Sequence, residues 1–229
     1  MYFDIYYFLL VVPALIIAAI AQYKVKSTYR KFSQVPNSRG ITGAYAAQAI
    51  LNFYGIRDVG IQMIGGTLSD NFNPKTKMIS LSEGVYNGTS IAAVGIACHE
   101  AGHAAQHAED YKPIRIRNSI IPVCNIGSTI GLPIAILGLF IYVELLIYIG
   151  LILYGAVFIF QLVTLPVEFD ASHRALKVID ETDLLLDDEI GGARKVLGSA
   201  AMTYVAAMLV ALMNLLRIAI SFLGRTRRN

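Results

Sequence analysis

Four stretches of this chain are too long and too apolar for an ordinary soluble core: residues 3–23, 120–143, 145–166 and 200–223. About twenty apolar residues in a helix cross a ~30 Å hydrocarbon core. Composition agrees. The 229 residues are 55% hydrophobic and only 15% charged, whereas soluble domains run nearer to about 25% charged. The chain therefore reads as a mainly α membrane protein with about four transmembrane or membrane-associated helices. The net charge is +3, and the basic residues cluster beside the apolar runs. That pattern suits a lipid bilayer and its headgroups, not nucleic acid.

The runs also suggest a topology. The first holds one early acid, Asp4, and no basic residue precedes Lys24. A cleaved signal peptide wants a positive start, so an uncleaved anchor over 1–23 is expected. Lys24, Lys26, Arg30 and Lys31 follow at once, and the positive-inside rule puts them in the cytoplasm. Runs two and three are separated only by Glu144. Read as a helical hairpin over 119–166, with the turn at Glu144, they return the chain to the side it left. Gly127, Gly131, Gly138, Gly150 and Gly155 suit close helix contact there. Segments 24–118 and 167–199 then share a compartment. The fourth run, interrupted by Asn214 and Arg217, leads a C-terminal portion over 200–229. It either spans or lies re-entrant. Arg225, Arg227 and Arg228 after it oppose the positive-inside expectation for a span, but the basic residues from Lys24 to Arg117 outweigh them.

Chemistry is concentrated in His99-Glu100-Ala101-Gly102-His103, an H-E-x-x-H motif. Residues four apart share one face of an α-helix, so His99 and His103 offer two imidazoles to one metal ion. Glu100 can reach the water that such a metal activates, as in zinc peptidases. The stretch from Ile91 to Ala108 is rich in alanine and free of proline, which favours helix. Thr89 or Ser90 is positioned to cap it. His107 continues the four-residue rhythm but lies about 12 Å from His99 along a continuous helix, too far to share an ion. The chain also lacks the glycine that breaks the helix before the third His of metzincins. His107 is expected to be solvated or to support a ligand, and the third ligand to come from downstream.

Upstream of the motif, residues 42–54 read as a helix stopped by Gly55. Residues 59–64 read as a strand. Residues 67–70 and 77–82 read as the arms of a hairpin around a turn at 71–76, where Asn73-Pro74 is a turn signal. The hairpin either accepts an extended peptide along its edge or only covers the metal helix. Downstream, Pro166 suits a helix start, and Glu168 follows it. Glu168 is either a metal ligand or an acid favoured at a helix N-terminus. Asp170 either pairs with Arg174, four residues on, or orients a ligand His. His173 is a candidate to stabilise the oxyanion of a tetrahedral intermediate. Tyr204 either faces the metal or packs. Residues 180–189 read as a solvated acidic helix and loop broken at Gly191-Gly192. Cys98 and Cys124 form no metal or disulfide spacing and read as buried thiols.

With these residues placed, the chain resembles the YugP-like bacterial membrane zinc metallopeptidases over nearly its whole length. The likeness is carried by the basic flank, N-P-K-T-K, C-H-E-A-G-H-A-A-Q-H and L-P-V-E-F-D-A-S. More distantly it is similar to HtpX-type and CAAX prenyl peptidases, which are gluzincins. The resemblance implies a small gluzincin-like α+β catalytic portion and one Zn2+ per chain held by His99, His103 and Glu168. It also implies Glu100 as general base in hydrolysing a peptide or membrane-protein substrate, in a bacterial inner membrane with the site on the cytoplasmic side. Gluzincins often carry an Asp four residues after the ligand Glu. Here that position is Ser172, so either Asp170 takes over or the orienting contact differs. Two rival readings are an intramembrane, site-2-type protease and a non-catalytic zinc-stabilised chaperone or scaffold. The first is disfavoured by the short apolar lead into His99. The second needs a fourth ligand from His107 or His173.

Overall fold

The computed structural model describes residues 5–226; Asp4 and the tail residues Arg227 and Arg228 lie outside the described residues. Among the described residues, four helices are long and apolar enough to cross a membrane: α1 (Tyr7–Phe32), α5 (Lys112–Ile141), α6 (Glu144–Glu181) and α7, which includes Asp187–Gly224. Between α1 and α5 lie α2 (Gly43–Phe53), β1 (Gly60–Ile64), β2 (Asn71–Asn73), β3 (Met78–Ser82), α3 (Glu83–Tyr86) and α4 (Ile91–Ala108). The protein is thus a mainly α membrane protein with a small mixed sheet. The chain divides into two compact units. One comprises 1–22, 115–165 and 202–229, and the other 23–114 and 166–201.

The first unit is helical and apolar. Tyr142, with φ +61°, closes the connection from α5 to α6, so Glu144 is the first residue of α6 and not the turn itself. The helices of this hairpin touch backbone to backbone. A side chain at Gly127 would collide with the Leu153 carbonyl oxygen, and those at Gly131, Gly138 and Gly150 with Tyr154, Ile147 and Ala135. Gly155 faces open space. Two polar residues within α7 are accommodated locally. Asn214 Nδ2 donates to the Val210 carbonyl (2.9 Å), and the Arg217 guanidinium lies 4.9 Å from the centre of the Tyr7 ring. Cys124 is buried with Tyr154, Val157 and Ala211.

The second unit holds the motif. Helix α2 starts at Thr42, whose hydroxyl accepts from Tyr45 N (3.2 Å), and stops before Gly55 at φ +67°, a conformation open mainly to glycine. Strand β3 is the middle strand, parallel to β1 and antiparallel to β2. The hairpin's first arm forms at 71–73, later than the 67–70 read from sequence. Asp70 is diverted from the ladder because its carboxylate accepts from Ser82 N (2.7 Å), and Asn73 accepts from Lys75 N (2.9 Å) to start the turn.

Helix α4 begins at Ser90, whose Oγ accepts from Ala93 N (3.1 Å). It ends where Asp110 turns left-handed (φ +54°) and Tyr111 N donates back to Gln106 O (3.0 Å), a Schellman-type closure. Its alanines are buried against Ile50, Leu51, Ile79, Leu81, Val178 and Ile179. Cys98 is fully buried there, and burial pushes its thiol pKa well up.

Three sequence expectations are corrected here. Pro166 does not begin a helix; α6 runs through it. Proline lacks the N–H that would bond the carbonyl four residues back, yet the turns beyond it are pinned by Val167, Ala171 and Ala175, all fully buried. Gly191-Gly192 does not break the chain either, because both lie inside α7. A Cβ at Gly192 would stand 2.9 Å from the Phe32 ring and 3.0 Å from Ile91, so the glycine is a contact point, not a stop. Nor is the acidic stretch wholly solvated. Glu189 is buried, accepting from Ser38 N (2.7 Å), Ser38 Oγ (2.8 Å) and Leu186 N (3.0 Å).

The closest helix approach in this unit that bears on the motif is at Gly102, where a Cβ would stand 2.7 Å from the Ala171 carbonyl oxygen. Gly102→Val is expected to cost about 1–3 kcal/mol through overpacking against backbone, read as a lower midpoint of thermal unfolding in detergent. Gly198→Ala, at a helical glycine with open space around it, is expected to leave the midpoint unchanged or slightly raised.

Candidate metal centre

The contact at Gly102 sets α4 and α6 side by side, with His99 and His103 on one helix and Glu168 on the other. The Nε2 atoms of His99 and His103 stand 3.4 and 3.6 Å from the same oxygen, Glu168 Oε2. The imidazoles meet edge to face with centres 4.7 Å apart. All three side chains are nearly enclosed, at 14%, 11% and 4% exposure for His99, His103 and Glu168. A carboxylate so buried is costly without a partner charge. His103 responds to this setting. Burial works against its charged form, but the contact with Glu168 and the charges of Glu100 and Glu168 outweigh it, so its pKa lies above the ordinary value.

Each imidazole is also held from behind. His103 Nδ1 is hydrogen-bonded to Gln106 Oε1 (3.0 Å), and His99 Nδ1 to Ser172 Oγ (3.1 Å). Gln106 is itself fully buried. Its Nε2 donates to the Val167 carbonyl (2.7 Å) and to Asp170 Oδ2 (2.8 Å). Asp170 Oδ2 accepts in addition from Arg174 Nε (2.6 Å), and the same guanidinium donates to Glu109 Oε2 (2.6 Å). Arg174 lies 5.8 Å from the ring centres of both Tyr54 and Tyr111.

The donor set fits zinc. Two ligand atoms each about 2 Å from a tetrahedral ion stand roughly 3.3 Å apart, and the His–Glu contacts have nearly that spacing. The three candidate ligand atoms all lie within 4.8 Å of one another. Two imidazole nitrogens and one carboxylate oxygen would leave one tetrahedral position for water, as catalytic sites do.

The other candidates fall as follows. Glu100 is half-buried and close enough to His103 to act on its charge. Asp170 pairs with Arg174, and Gln106 stands between it and His103. Ser172, four residues after Glu168, itself makes the contact to His99. His107 is exposed, with its ring 6.0 Å from that of Phe72 on β2. His173 is also exposed. Neither belongs to the metal-capable cluster among the described residues. Tyr204 lies on α7 in the other unit. Gln106 was not foreseen. Its signal was the spacing, since three residues from His103 keeps it on the same helix face.

The family described as "putative neutral zinc metallopeptidase" matches residues 7–223. The chain belongs to that family. It is 44% identical over 221 residues, 96% of this chain and 98% of its relative, to "Putative membrane protease YugP" of Bacillus subtilis (strain 168). No solved structure matches. The zinc named in the family's description is of the kind that the His99, His103 and Glu168 donors suit.

Proposed function

We propose that the protein is a membrane-embedded, zinc-dependent endopeptidase in which His99, His103 and Glu168 hold one zinc ion and Glu100 is the general base. The observation that carries this is the meeting of three donor atoms from two helices within 4.8 Å of one another, with both histidines 3.4–3.6 Å from one Glu168 oxygen. Zinc held there would act as a Lewis acid and make water acidic enough to ionise near pH 7. Glu100, next to His99 in the chain, would be the carboxylate that takes a proton from water and hands it to the leaving amine. The near-complete enclosure of His99, His103 and Glu168 strengthens their electrostatics by keeping bulk water away.

The substrate is a peptide or a membrane protein. Among the described residues, strand β2 lies at an outer edge of the sheet, and its Phe72 ring stands 6.0 Å from that of His107 on α4. An extended peptide added to that edge by β-augmentation would run beside the metal helix. The intramembrane alternative is less well supported, since α4 is not among the four helices long and apolar enough to span. A purely structural zinc site wants four protein ligands, and the exposure of His107 and His173 speaks against either as the fourth.

Glu100→Gln is expected to bind one zinc per chain, as wild type does, while cleavage of a reporter peptide falls by about 100-fold or more. Undiminished cleavage would refute the assigned base. We further propose that the second unit faces the cytoplasm at a bacterial inner membrane, a reading supported by the basic residues between Lys24 and Arg117 and the positive-inside rule. A cysteine introduced at exposed Gln48 is therefore expected to react with a membrane-impermeant maleimide only after the cells are opened. Labelling in intact cells would reverse the topology.

A further inference from the structure

The buried amide of Gln106 has only one arrangement that satisfies its neighbours. Its two partners on α6, the Val167 carbonyl oxygen and the Asp170 carboxylate, lie 2.7 and 2.8 Å from Nε2. A carbonyl and a carboxylate can only accept. The NH2 end must therefore face α6, and flipping the amide would set three oxygens against one another. That leaves Oε1 for His103 Nδ1 at 3.0 Å. Because Oε1 cannot donate, the hydrogen of that bond belongs to His103 Nδ1. His103 is thus fixed with its Nδ1 protonated, and Nε2 is the nitrogen free to serve a metal. Ser172 gives no such instruction to His99, because a hydroxyl can donate or accept.

The same amide bonds the backbone carbonyl of Val167, the residue immediately before Glu168. One side chain thus fixes the ring of one ligand and the helix turn that carries another. Its own position is held by Asp170, which is tied to Arg174 and through it to Glu109 at the end of α4.

We propose that Gln106 is the positioning residue of the metal centre: it sets the tautomer of His103 and locks the Glu168 turn of α6 onto α4. This rests on the zinc peptidase reading and extends the motif to H-E-x-x-H-x-x-Q, completed by V-E-x-D on the second helix.

The test is zinc affinity of the purified full-length protein in detergent, measured by competition with a chromophoric chelator. Wild type is expected to bind one zinc per chain. Gln106→Met keeps bulk but removes both hydrogen-bonding ends, and zinc binding is expected to weaken by about 10–100-fold, the usual cost of losing an orienting partner. Leu51→Ala, which opens a cavity elsewhere in the same core, is expected to lower the unfolding midpoint without changing zinc affinity. That control separates positioning from mere stability. Should Gln106→Met fail to fold, Gln106→Glu carries the test. Its carboxylate still accepts from His103 but offers no donor to Val167 or Asp170, so a comparable loss is expected. Unchanged affinity in whichever variant folds would overturn the proposal while leaving the peptidase reading intact. A wild-type protein that binds no zinc would instead overturn the reading beneath it.

Discussion

A backbone contact without a side chain governs this protein. Gly102 stands between Glu100 and His103 in sequence, on the face of α4 that meets the Ala171 carbonyl of α6. Any larger residue would hold the helices apart. Since His and Glu side chains have limited reach, the 3.4 and 3.6 Å contacts of His99 and His103 with Glu168 depend on that intimacy. The glycine of H-E-A-G-H is therefore as much a part of the site's geometry as the histidines on either side of it.

Beyond the contact, α6 offers α4 a dense row of partners. Val167 presents its carbonyl oxygen, Glu168 its carboxylate, Asp170 a second carboxylate, Ala171 a backbone surface and Ser172 a hydroxyl. Only Phe169 in this row points away and is exposed. The sequence V-E-F-D-A-S is thus a single surface read by one helix of another. The two histidines are held differently. His103 is steadied by a residue of its own helix, His99 by the opposite one. Separating the helices would release His99 and Glu168 together.

Much of this was readable from the chain. Apolar run length announced about four transmembrane or membrane-associated helices, because hydrocarbon thickness sets the length a span needs. The metal helix, from Ile91 to Ala108, was legible from its Ser90 cap, its alanines and the absence of proline. Helical periodicity put His99 and His103 on one face. Glu168 emerged from topology together with family likeness. What escaped was tertiary. Pro166 and Gly191-Gly192 carry breaker signals that packing overrides, through buried Val167 and Ala171 in one case and the Phe32 and Ile91 contacts in the other. The hairpin register slipped because Asp70 spends its carboxylate on Ser82, a bond between residues twelve apart. Ser172 stood out as a departure from a pattern, but its bond to His99 crosses from one helix to another, which spacing along either helix does not encode.

X-ray absorption at the zinc edge of the purified protein tests the central claim most directly. The account predicts a first shell of only nitrogen and oxygen at about 2.0–2.2 Å, containing two imidazoles. A sulfur at about 2.3 Å, which would implicate Cys98, or a shell with more than two imidazoles would contradict it.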